Sequence, residues 1–491
     1  MDDAARIAVV GSGYVGTVVA SCFAWLGHDT VGVEVDRMKL EVLNGGHVPF
    51  YEPGLEGLVA AGLESCRLRF TDDYAEALSR VDAVFVCVGT PRGRDGSPDM
   101  RAIEAAGRAV GMALKEPAIV VTKSTIPVGG AFRVRAIIEE TLLRNGCAPV
   151  VPLVHNPEFL REGSAIRDFL HPDRVILGSD ETGPLETISR VYQPILDQSF
   201  PGGELNRIPG FLATDIITAE TVKYASNAFL ATKISFINEI ACICDLVGAN
   251  INDVAAGMGF DRRIAPEFLK AGIGWGGSCF GKDLSALIAM ARTYGHDPHL
   301  LSATILVNER QRGAAIQHLG IALGSLRDRR IGLLGLAFKP GTDDIRDAPA
   351  LDLAVRLLSL GASVVGYDPV VSSTPWPELT IVADPHTVAA GADAIVLATE
   401  WPSFSLLNLR DLRRRMRGDV LLDGRSFFNR ADAEAAGFRY LAMGQSSHLF
   451  SQRFRHIAEE EVDVGTSGSA AGNGQPSTRP TPTNTRIPLS S

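Results

Sequence analysis

Long apolar runs are missing from this 491-residue sequence, and none approaches the roughly 20 residues that a membrane-spanning helix needs. The first residues, MDDAARIAVVGSG, carry acidic side chains where a secretory signal would carry basic ones. These two absences exclude a membrane-spanning or secreted protein. They predict a cytoplasmic protein with no membrane partner.

An excess of positive charge is also missing. The formal net charge is -10 at pH 7, whereas nucleic acids and anionic lipid surfaces are bound by clustered lysine and arginine. The one dense basic stretch, RDLRRRMRG at 410–418, is typical of the solvated face of a helix. We therefore expect no nucleic-acid partner.

Cysteine is scarce and unpatterned. The seven cysteines are an odd number scattered over a long chain, which excludes a disulfide framework, and no two have the C-x-x-C spacing of a zinc site. No metal site is expected. Four cysteines in apolar stretches are predicted to be buried thiols: Cys22, Cys87, Cys242 and Cys244.

The composition that remains is that of a soluble globular protein. The chain is 46% hydrophobic and 21% charged, and it is long enough for two or three domains. From about Gly465 it is rich in Ser, Thr, Gly and Pro, which predicts a disordered tail. The patterns described below predict domains at 1–210, 211–312 and 313–455, and a tail at 456–491.

The first regular pattern is a βαβ unit, RIAVVGSGYVGTVVASCFAWLGHDTVGVEVD. Gly11, Gly13 and Gly16 form G-x-G-x-x-G directly after the first strand, which lets a pyrophosphate approach the helix N-terminus. Glu34 ends the second strand, where a carboxylate accepts from ribose hydroxyls and repels a 2′-phosphate. The pattern predicts NAD rather than NADP, although the nearby Arg37 and Lys39 leave NADP open.

Two further apolar strands end in polar loops. They are ADAVFVCVGTP and AIVVTKSTIPVG, and their loops carry Thr90, Ser124 and Thr125. Because ligands bind at the carboxyl ends of strands in such sheets, these loops are candidates to line the cofactor. Ordinary turn chemistry is the alternative for each of them.

The second half of the chain repeats the design of the first. From Arg330, RIGLLGLAFKPGTDDIRDAPALDLAVRLLSLGASVVGYDP reads as strand, loop, helix and strand, and a later segment aligns Asp393 with Asp82. This half lacks G-x-G-x-x-G, so a different ligand is expected there, and Lys339 and Arg346 suit phosphate. Between the halves, about 212–300 is helical, with one long apolar helix as a bridge or dimer core. The predicted class is α/β, with two Rossmann-like domains joined by a long central helix.

Two polar groups precede the second half. In HNPEFLREG, Asn156 as N-cap and Pro157 as first helical residue would place Glu158 and Glu162 on one helix face, with simple capping as the alternative. On the long helix a narrow polar stripe has helical spacing, and a lysine there needs a partner if it is buried. The stripe consists of Glu220, Lys223, Asn227 and Asn238.

A third group is GIGWGGSCFGKD, residues 272–283. It also spells G-x-G-x-x-G, but no strand precedes it and no strand ending in an acid follows, so we exclude a cofactor loop. The sequence after it predicts a helix, which puts Cys279 at the N-terminus and Asp283 one turn on. There the helix dipole and Lys282 are expected to lower the thiol pKa. We expect the glycines to let a substrate approach the sulfur.

A dinucleotide site combined with a nucleophilic thiol suggests one reaction class. Oxidation of an alcohol to an aldehyde needs no thiol, but a thiohemiacetal can be oxidised further to a thioester and hydrolysed to a carboxylate. The interpretation is a four-electron dehydrogenase that uses two NAD per product. A two-electron hydroxyacid dehydrogenase or a non-catalytic NAD-binding regulator would leave Cys279 without a function.

Nine motifs in order give residues 5–450 a resemblance to the UDP-glucose/GDP-mannose dehydrogenase family of nucleotide-sugar dehydrogenases. They are GSGYVG, FYEPGLE, GTP, KSTIPVG, NPEFLREGSAIRDFLHPDRVILG, ETVKYASNAFLATKISFINEI, FLKAGIGWGGSCFGKD, GLAFKPGTDDIRDAPAL and DGR. The resemblance implies NAD as cofactor and a homodimer built on the helical centre. It implies UDP-glucose as the substrate, with GDP-mannose and UDP-N-acetylmannosamine as alternatives.

The resemblance also implies site residues. Cys279 would be the nucleophile of the second oxidation and Glu158 the base of thioester hydrolysis. Lys223 and Asp283 would flank the reacting carbon, and Asn227 would hold the oxyanion or the substrate. The implied substrate contacts are Glu162, Arg263 (in the neighbouring subunit's site), Lys270, Gly276, Lys339 and Arg425. The implied cofactor contacts are Gly11, Gly13, Tyr14, Val15, Gly16, Glu34, Lys39, Thr90, Thr125, Glu162, Lys282 and Arg346.

The sequence departs from the family pattern at two positions. Glu34 stands where the family commonly has Asp, which affects ribose geometry, and Gly281 stands where many relatives have Pro or Gln.

Overall fold

The computed structural model describes residues 4–93 and 96–445, so the tail predicted at 456–491 lies outside the described residues. Within these ranges the chain forms two separate sheets with four helices between them in sequence. The predicted α/β class, with two Rossmann-like halves and a long central helix, is confirmed. The predicted domain boundaries stay predictions.

The N-terminal sheet has eight strands in the described residues, in the order β3-β2-β1-β4-β5-β6-β7-β8. All neighbours are parallel except β6 and β7, which pair antiparallel through His155 and Gly178. The strands are β1 (Arg6–Val10), β2 (Asp29–Val33), β3 (Leu68–Thr71), β4 (Ala83–Val86), β5 (Ile119–Thr122), β6 (Leu153–His155), β7 (Arg174–Gly178) and β8 (Gly210–Thr214).

The helices of this half connect the strands. They are α1 (Tyr14–Trp25), α2 (Arg37–Asn44), α3 (Leu55–Glu64), α4 (Tyr74–Ala77), α5 (Arg101–Ala113), α6 (Gly130–Arg144), α7 (Ala165–Leu170), α8 (Thr182–Val191) and α9 (Gln193–Leu196). Alternate residues of β1 pack on opposite faces: Ile7 and Val9 belong to one apolar cluster, Ala8 and Val10 to another. Burial on both faces explains why the strands are continuous apolar runs.

The middle of the chain is helical, as predicted. Its helices are α10 (Ile216–Val247), α11 (Ile251–Gly259), α12 (Phe280–Thr293) and α13 (His299–Leu323). The 32-residue α10 contacts the N-terminal sheet at β6 and β7 and packs along α12 and α13. It therefore carries side chains from the N-terminal half to the glycine-rich segment before α12.

The C-terminal sheet has six parallel strands in the described residues, in the order β11-β10-β9-β12-β13-β14. They are β9 (Arg330–Leu334), β10 (Ser363–Tyr367), β11 (Thr380–Ile381), β12 (Ala394–Leu397), β13 (Val420–Asp423) and β14 (Arg439–Ala442). Its helices are α14 (Pro349–Ser359), α15 (Pro385–Ala389), α16 (Leu409–Arg415) and α17 (Arg430–Ala435), with a 3-10 helix at Pro402–Leu406.

The internal repeat seen in the sequence includes one hydrogen bond that occurs at the same place in both halves. The amide of Arg6, which starts β1, donates to Asp82 Oδ2 at 2.8 Å. The amide of Arg330, which starts β9, donates to Asp393 Oδ2, also at 2.8 Å. The predicted alignment of Asp393 with Asp82 is confirmed.

Candidate active site

The turn after β1 is built from glycines. Gly11 has a φ of +93°, and a Cβ on it would lie 2.7 Å from Val88 Cγ1. A Cβ on Gly16 would lie 1.8 Å from the carbonyl oxygen of Gly11. Gly13, in contrast, is exposed and has no atom within 4 Å of where a Cβ would be. This open space lies at the N-terminus of α1, where no side chain caps the first amides, so the turn fits the pyrophosphate of NAD.

The carboxylate predicted for ribose lies beside this turn. Glu34 is buried directly after β2, and its Oε1 accepts a 2.9 Å hydrogen bond from the amide of Asp36. Lys39 is exposed on α2. Val15 follows in the first turn of α1, and the hydroxyl of the preceding Tyr14 donates to Glu52. The hydroxyl of Tyr14 already has a partner, so we expect a dinucleotide to contact the backbone of this residue.

The loops after β4 and β5 are held together by hydroxyl groups. Thr90 Oγ1 donates to the carbonyl oxygen of Thr125, and Ser124 Oγ donates to that of Val88 at 2.7 Å. The two loops therefore form one surface next to the Gly11 turn. The hydroxyls of Thr90 and Ser124 are used in holding that surface together.

The candidate catalytic side chains meet between α10, α12 and the loop after β6. Lys223 Nζ donates to Glu158 Oε1 at 2.8 Å, and both side chains are buried. One turn along α10, Asn227 Nδ2 donates to Asp283 Oδ2 at 2.6 Å. Lys282 Nζ donates to the other oxygen of Asp283, also at 2.6 Å.

Cys279 lies at the start of α12 and is exposed to solvent. Its carbonyl oxygen accepts from the amide of Asp283 at 2.9 Å. The prediction that Cys279 begins a helix with Asp283 one turn on is confirmed. The structure thus brings Cys279, Asp283, Asn227, Lys223 and Glu158 into one charged cluster.

The prediction of a helix starting at Asn156 is wrong. Residues 156–164 form a loop, and the next helix, α7, begins at Ala165. Asn156 does not cap a helix because tertiary contacts use its side chain: Oδ1 accepts from Lys123 and Tyr192, and Nδ2 donates to the carbonyl oxygen of Ile176. Glu158 and Glu162 consequently do not share a helix face.

The polar stripe of α10 is real, but its four members have four separate partners. Beyond Lys223 and Asn227, Glu220 accepts from the amides of Gly129 and Ala131 and so caps α6. Burial raises the pKa of Glu220 to about 7. Asn238 Oδ1 accepts from the amide of Gly272 at 2.8 Å. Only Lys223 and Asn227 reach the catalytic cluster.

Charge is balanced at the centre of the cluster. Burial alone would raise the pKa of Glu158, but the Lys223 ammonium and hydrogen bonds hold it below its ordinary value. Burial would likewise lower the pKa of Lys223, but Glu158 and the nearby Cys279 and Asp283 raise it. Glu158 is therefore ionised and Lys223 protonated at neutral pH.

The prediction of a lowered thiol pKa for Cys279 is wrong. The protein atoms around the sulfur and the Glu158 carboxylate raise the pKa of Cys279, and Lys223 opposes this only in part. Lys282, which was expected to lower it, is instead hydrogen-bonded to Asp283. In this arrangement Cys279 is a thiol, and its proton must leave when sulfur bonds to carbon.

The glycine run also has a packing role that the sequence did not predict. A Cβ on Gly272 would lie 2.5 Å from the carbonyl oxygen of Gly424, and one on Gly276 would lie 2.2 Å from that of Asp347. A Cβ on Gly277 would meet the ring of Phe338 at 2.7 Å. The missing side chains therefore let the C-terminal half pack against this segment, and the predicted approach of a substrate to the sulfur stays a prediction.

The C-terminal half contacts the glycine run through Arg425. This partly buried side chain donates to the carbonyl oxygens of Ala398 and Gly274 at 2.8 and 3.0 Å. Glu400 lies 3.6 Å from Arg425 and 3.9 Å from the more exposed Lys270. These three charged residues lie at the carboxyl ends of β12 and β13 and beside the glycine run.

A second contact between the halves involves Glu162. Its Oε2 accepts from Thr342 Oγ1 at 2.9 Å, and Arg346 lies 3.6 Å from Oε1. Burial and the Asp344 carboxylate raise the pKa of Glu162 to about 7, and burial lowers the pKa of the neighbouring Lys339. Arg263, in contrast, is exposed and pairs with Asp261 of its own chain.

Three consecutive parts of the chain match the models of one protein family. Residues 5–196 match the NAD binding domain of the UDP-glucose/GDP-mannose dehydrogenase family, 217–310 its central domain and 332–430 its UDP binding domain. The chain belongs to this family. It is an NAD-dependent oxidoreductase, and the open turn at Gly13 lies in the matched NAD-binding domain.

Relatives and solved structures of the family agree over nearly the whole chain. UDP-glucose 6-dehydrogenase of Pseudomonas aeruginosa is 44% identical over 450 residues, 90% of this chain and 97% of the relative. That of Rhizobium meliloti is also 44% identical, over 447 residues, 90% of this chain and 99% of the relative. A UDP-glucose dehydrogenase structure from Pyrobaculum islandicum has a TM-score of 0.81 and 37% identity, and covers 90% of this chain and 98% of its own.

The structure of a family member that is named for a different substrate is also similar. The UDP-D-ManNAc dehydrogenase structure from Pyrococcus horikoshii has a TM-score of 0.78 and 28% identity, and covers 90% of this chain and 99% of its own. The fold is therefore shared across substrate branches. No helix in the described part of the chain is long and apolar enough to cross a membrane.

Sequence reasoning missed three charged residues near the site: Glu52, Lys123 and Glu400. Glu52 accepts from the hydroxyl of Tyr14 and from the amides of Gly163 and Ala165, and so ties α1 to the loop after Glu162. The motif FYEPGLE, in which Glu52 follows two aromatic residues, could have pointed to this residue. Lys123 had a signal in KSTIPVG, a lysine directly after a buried strand.

Proposed function

We propose that this enzyme oxidises UDP-glucose to UDP-glucuronate through a thiohemiacetal and a thioester on Cys279. The observation that carries the proposal is the cluster in which Cys279 adjoins the Lys223–Glu158 pair and the Asn227–Asp283 pair. A simple alcohol dehydrogenase has no use for a thiol at this place. When bound, NAD supplies the electron acceptor for both oxidations.

The charged side chains have separate tasks in this mechanism. The protonated Lys223 stabilises negative charge that develops on the substrate oxygen, and Asn227 and Asp283 orient the sugar carbon beside the sulfur. The thiol of Cys279 adds across the aldehyde carbonyl, and its proton ends on the new hydroxyl of the thiohemiacetal. Because the pKa of the thiol is raised, this proton must be transferred during the addition.

Glu158 acts in the last step. It is ionised beside Lys223, so it can take a proton from water as the water attacks the thioester carbon. The carbon–sulfur bond then breaks, which releases the carboxylate product and returns the thiol of Cys279. The balance is one alcohol, one water and two NAD to one carboxylate, two NADH and three protons.

Substrate choice rests on the relatives and on the UDP binding domain. The relatives at 44% identity act on UDP-glucose by name, and Lys339 and Arg425 offer positive charge at the C-terminal half for a diphosphate. GDP-mannose and UDP-N-acetylmannosamine are the competing substrates. The product would be a precursor for polysaccharide biosynthesis, and we place the reaction in the cytoplasm.

The chain is also proposed to form a homodimer on α10. Phe229, Phe236 and Ile243 follow one another at seven-residue intervals on this helix and are 66%, 46% and 47% exposed. Such a seam buries well against a second copy of itself. Sedimentation of the wild type and of a Phe229→Ser/Phe236→Ser variant measures the oligomeric state. We expect a dimeric wild type and a weakened dimer in the variant, and a wild-type monomer would contradict the proposed homodimer.

One assay tests the proposed chemistry. We expect two NADH per UDP-glucose consumed, with faster turnover of UDP-glucose than of GDP-mannose or UDP-N-acetylmannosamine. Cys279→Ser should stop before the free carboxylate, whereas the matched control Cys66→Ser, at an exposed cysteine, should react like the wild type. One NADH per substrate, or an active Cys279→Ser variant, would refute the mechanism.

A further inference from the structure

A buried lysine outside the proposed mechanism lies next to the catalytic loop. Lys123 follows β5, and only 4% of it is exposed. Its Nζ donates to Asn156 Oδ1 at 2.7 Å and to the hydroxyl of Tyr192 at 3.3 Å. The rings of Phe169 and Tyr192 also lie beside it, each with its centroid 5.8 Å from Nζ. In the described part of the chain, no carboxylate oxygen lies within ion-pair distance of it.

A buried ammonium without a carboxylate partner is costly, so its retention calls for an explanation. Lys123 is held by neutral acceptors only, an amide oxygen and a phenol. Had its role been stability alone, methionine would fill the same apolar space without the desolvation cost. The explanation must therefore involve either the position of Asn156 or the positive charge.

Asn156 connects Lys123 to the catalytic carboxylate. It precedes Glu158 by two residues, at the point where β6 ends. Its oxygen accepts from Lys123 and from Tyr192, and its Nδ2 donates to the carbonyl oxygen of Ile176 on β7 at 2.9 Å. These three hydrogen bonds fix the start of the loop that carries Glu158. No helix geometry does so, since the loop is irregular.

The charge of Lys123 also acts on Glu158. It favours the ionised form of the carboxylate and adds a smaller contribution to that of Lys223, whose ammonium forms the direct hydrogen bond. The other titratable groups facing Lys123 are Cys87 after β4 and His155 of β6. Burial raises the pKa of Cys87 and lowers that of His155 to about 3, so both are neutral at pH 7.

We propose that Lys123 is a positioning residue for thioester hydrolysis: through its hydrogen bond to Asn156 it orients the loop that carries Glu158. This inference rests on the proposed function, because it assigns a supporting residue to the step that Glu158 performs. In the described part of the chain, the hydrogen bonds of Lys123 Nζ go to Asn156 and Tyr192 and not to the thiol of Cys279.

The proposal gives Lys123 a measurable pH signature. Burial, partly offset by Cys87 and Glu158 and reinforced by Lys223, lowers the pKa of Lys123 to about 8. The ammonium is therefore present below about pH 8 and lost above it. We expect the wild-type kcat profile to show an inflection near pH 8 that Lys123→Met and Lys123→Arg both lack, since neither side chain titrates there.

The experiment compares Lys123→Met, Lys123→Arg and the exposed control Lys115→Met by kcat, KM and mass spectrometry of the Cys279 peptide. Lys123→Met should lower kcat by about tenfold to a hundredfold with little change in KM, and should accumulate the Cys279 thioester after two NADH per site. The acid limb of the kcat–pH profile of Lys123→Met should move to higher pH, because Glu158 has lost a neighbouring positive charge. Lys123→Arg should recover part of kcat, and Lys115→Met should match the wild type.

The outcomes separate this proposal from the mechanism on which it rests. If Glu158→Gln accumulates the thioester and Lys123→Met does not, the inference about Lys123 is overturned while the mechanism stands. If Lys123→Met lowers Tm and slows both oxidations equally, Lys123 is a structural residue and the inference is overturned. If no variant forms an adduct and the wild type makes one NADH per substrate, the proposed function itself fails.

Discussion

The two α/β halves share the order of their first six strands but differ at the turn after their first strand. In the N-terminal half the turn opens over Gly13, and α1 begins without a side-chain cap. In the C-terminal half the amides of Leu336 and Ala337 donate to Asp368 Oδ2 at 2.8 and 3.0 Å. A carboxylate of the chain itself thus fills the place where the first half leaves room for a phosphate.

This difference explains why strand order alone does not predict a dinucleotide site. Glu34 and Asp368 both follow the second strand of their half. Glu34 accepts one backbone hydrogen bond through Oε1, and the structure gives its Oε2 no described hydrogen bond. Asp368 Oδ2 also accepts from the indole of Trp401 at 3.0 Å. The same position leaves a carboxylate oxygen free for a ligand in one half and closes the turn in the other.

The largest effect is expected for Asp368→Ala. This change leaves the amides of Leu336 and Ala337 and the indole of Trp401 buried without an acceptor, so the free energy of unfolding should fall by about 3 kcal/mol or more. Glu34→Ala should lower it by about 1 kcal/mol or less, but should weaken NAD binding about tenfold. Denaturant unfolding and NAD titration measure the two effects. Equal stability losses would contradict the comparison.

Gly13→Ala tests the open turn directly. The added methyl group has room in the free protein, so Tm should stay within about 2 °C of the wild type. The methyl would occupy space over the N-terminus of α1, so the Kd for NAD should rise about tenfold or more. Gly183→Ala, at another site with free space, is the matched control. Unchanged NAD binding in Gly13→Ala would count against the assignment of this turn.

The paired aspartates at the fourth strands give a smaller effect. Asp393 is buried and receives hydrogen bonds from the amide of Arg330 and the guanidinium groups of Arg329 and Arg417. Asp82 is exposed and receives one, from the amide of Arg6. Asp393→Asn should therefore cost about 1 kcal/mol of unfolding free energy and Asp82→Asn less than about 0.5. The reverse order in denaturant unfolding would contradict the burial difference.

The smallest effect concerns the titration of Cys279. Because the Glu158 carboxylate raises the thiol pKa and Lys223 lowers it, Glu158→Gln should lower this pKa and Lys223→Met should raise it. Lys339→Met, in the C-terminal half, should leave it in place. The pH dependence of alkylation of the Cys279 peptide reports each shift. A larger shift of the thiol pKa in Lys339→Met than in Glu158→Gln would contradict this prediction, because the charges that control the pKa would then lie in the C-terminal half.

The sequence predicted those features that local patterns determine. The period of apolar residues located both βαβ units, α10 and α12, and the spacing of Cys279 and Asp283 across one helical turn was sufficient to place them together. The family resemblance then supplied roles that no spacing contains. The repeat of Asp82 at Asp393 was visible because both begin an apolar strand.

The errors and omissions have a common physical cause, which is contact between residues far apart in the chain. Asn156 has the local features of a helix cap, but Lys123 and Tyr192 use its side chain. The thiol pKa of Cys279 depends on Glu158, which lies on another element. The glycines at 272–277 meet Asp347 and Gly424, which no local pattern relates to them.

The most direct test of the proposed chemistry is to isolate the covalent intermediate. Glu158→Gln, incubated with UDP-glucose and NAD, should release two NADH per active site and then stop. Mass spectrometry should find Cys279 carrying the mass of UDP-glucose less four hydrogens. An unmodified Cys279 after two NADH per site, or an adduct on another residue, would contradict a thioester on Cys279.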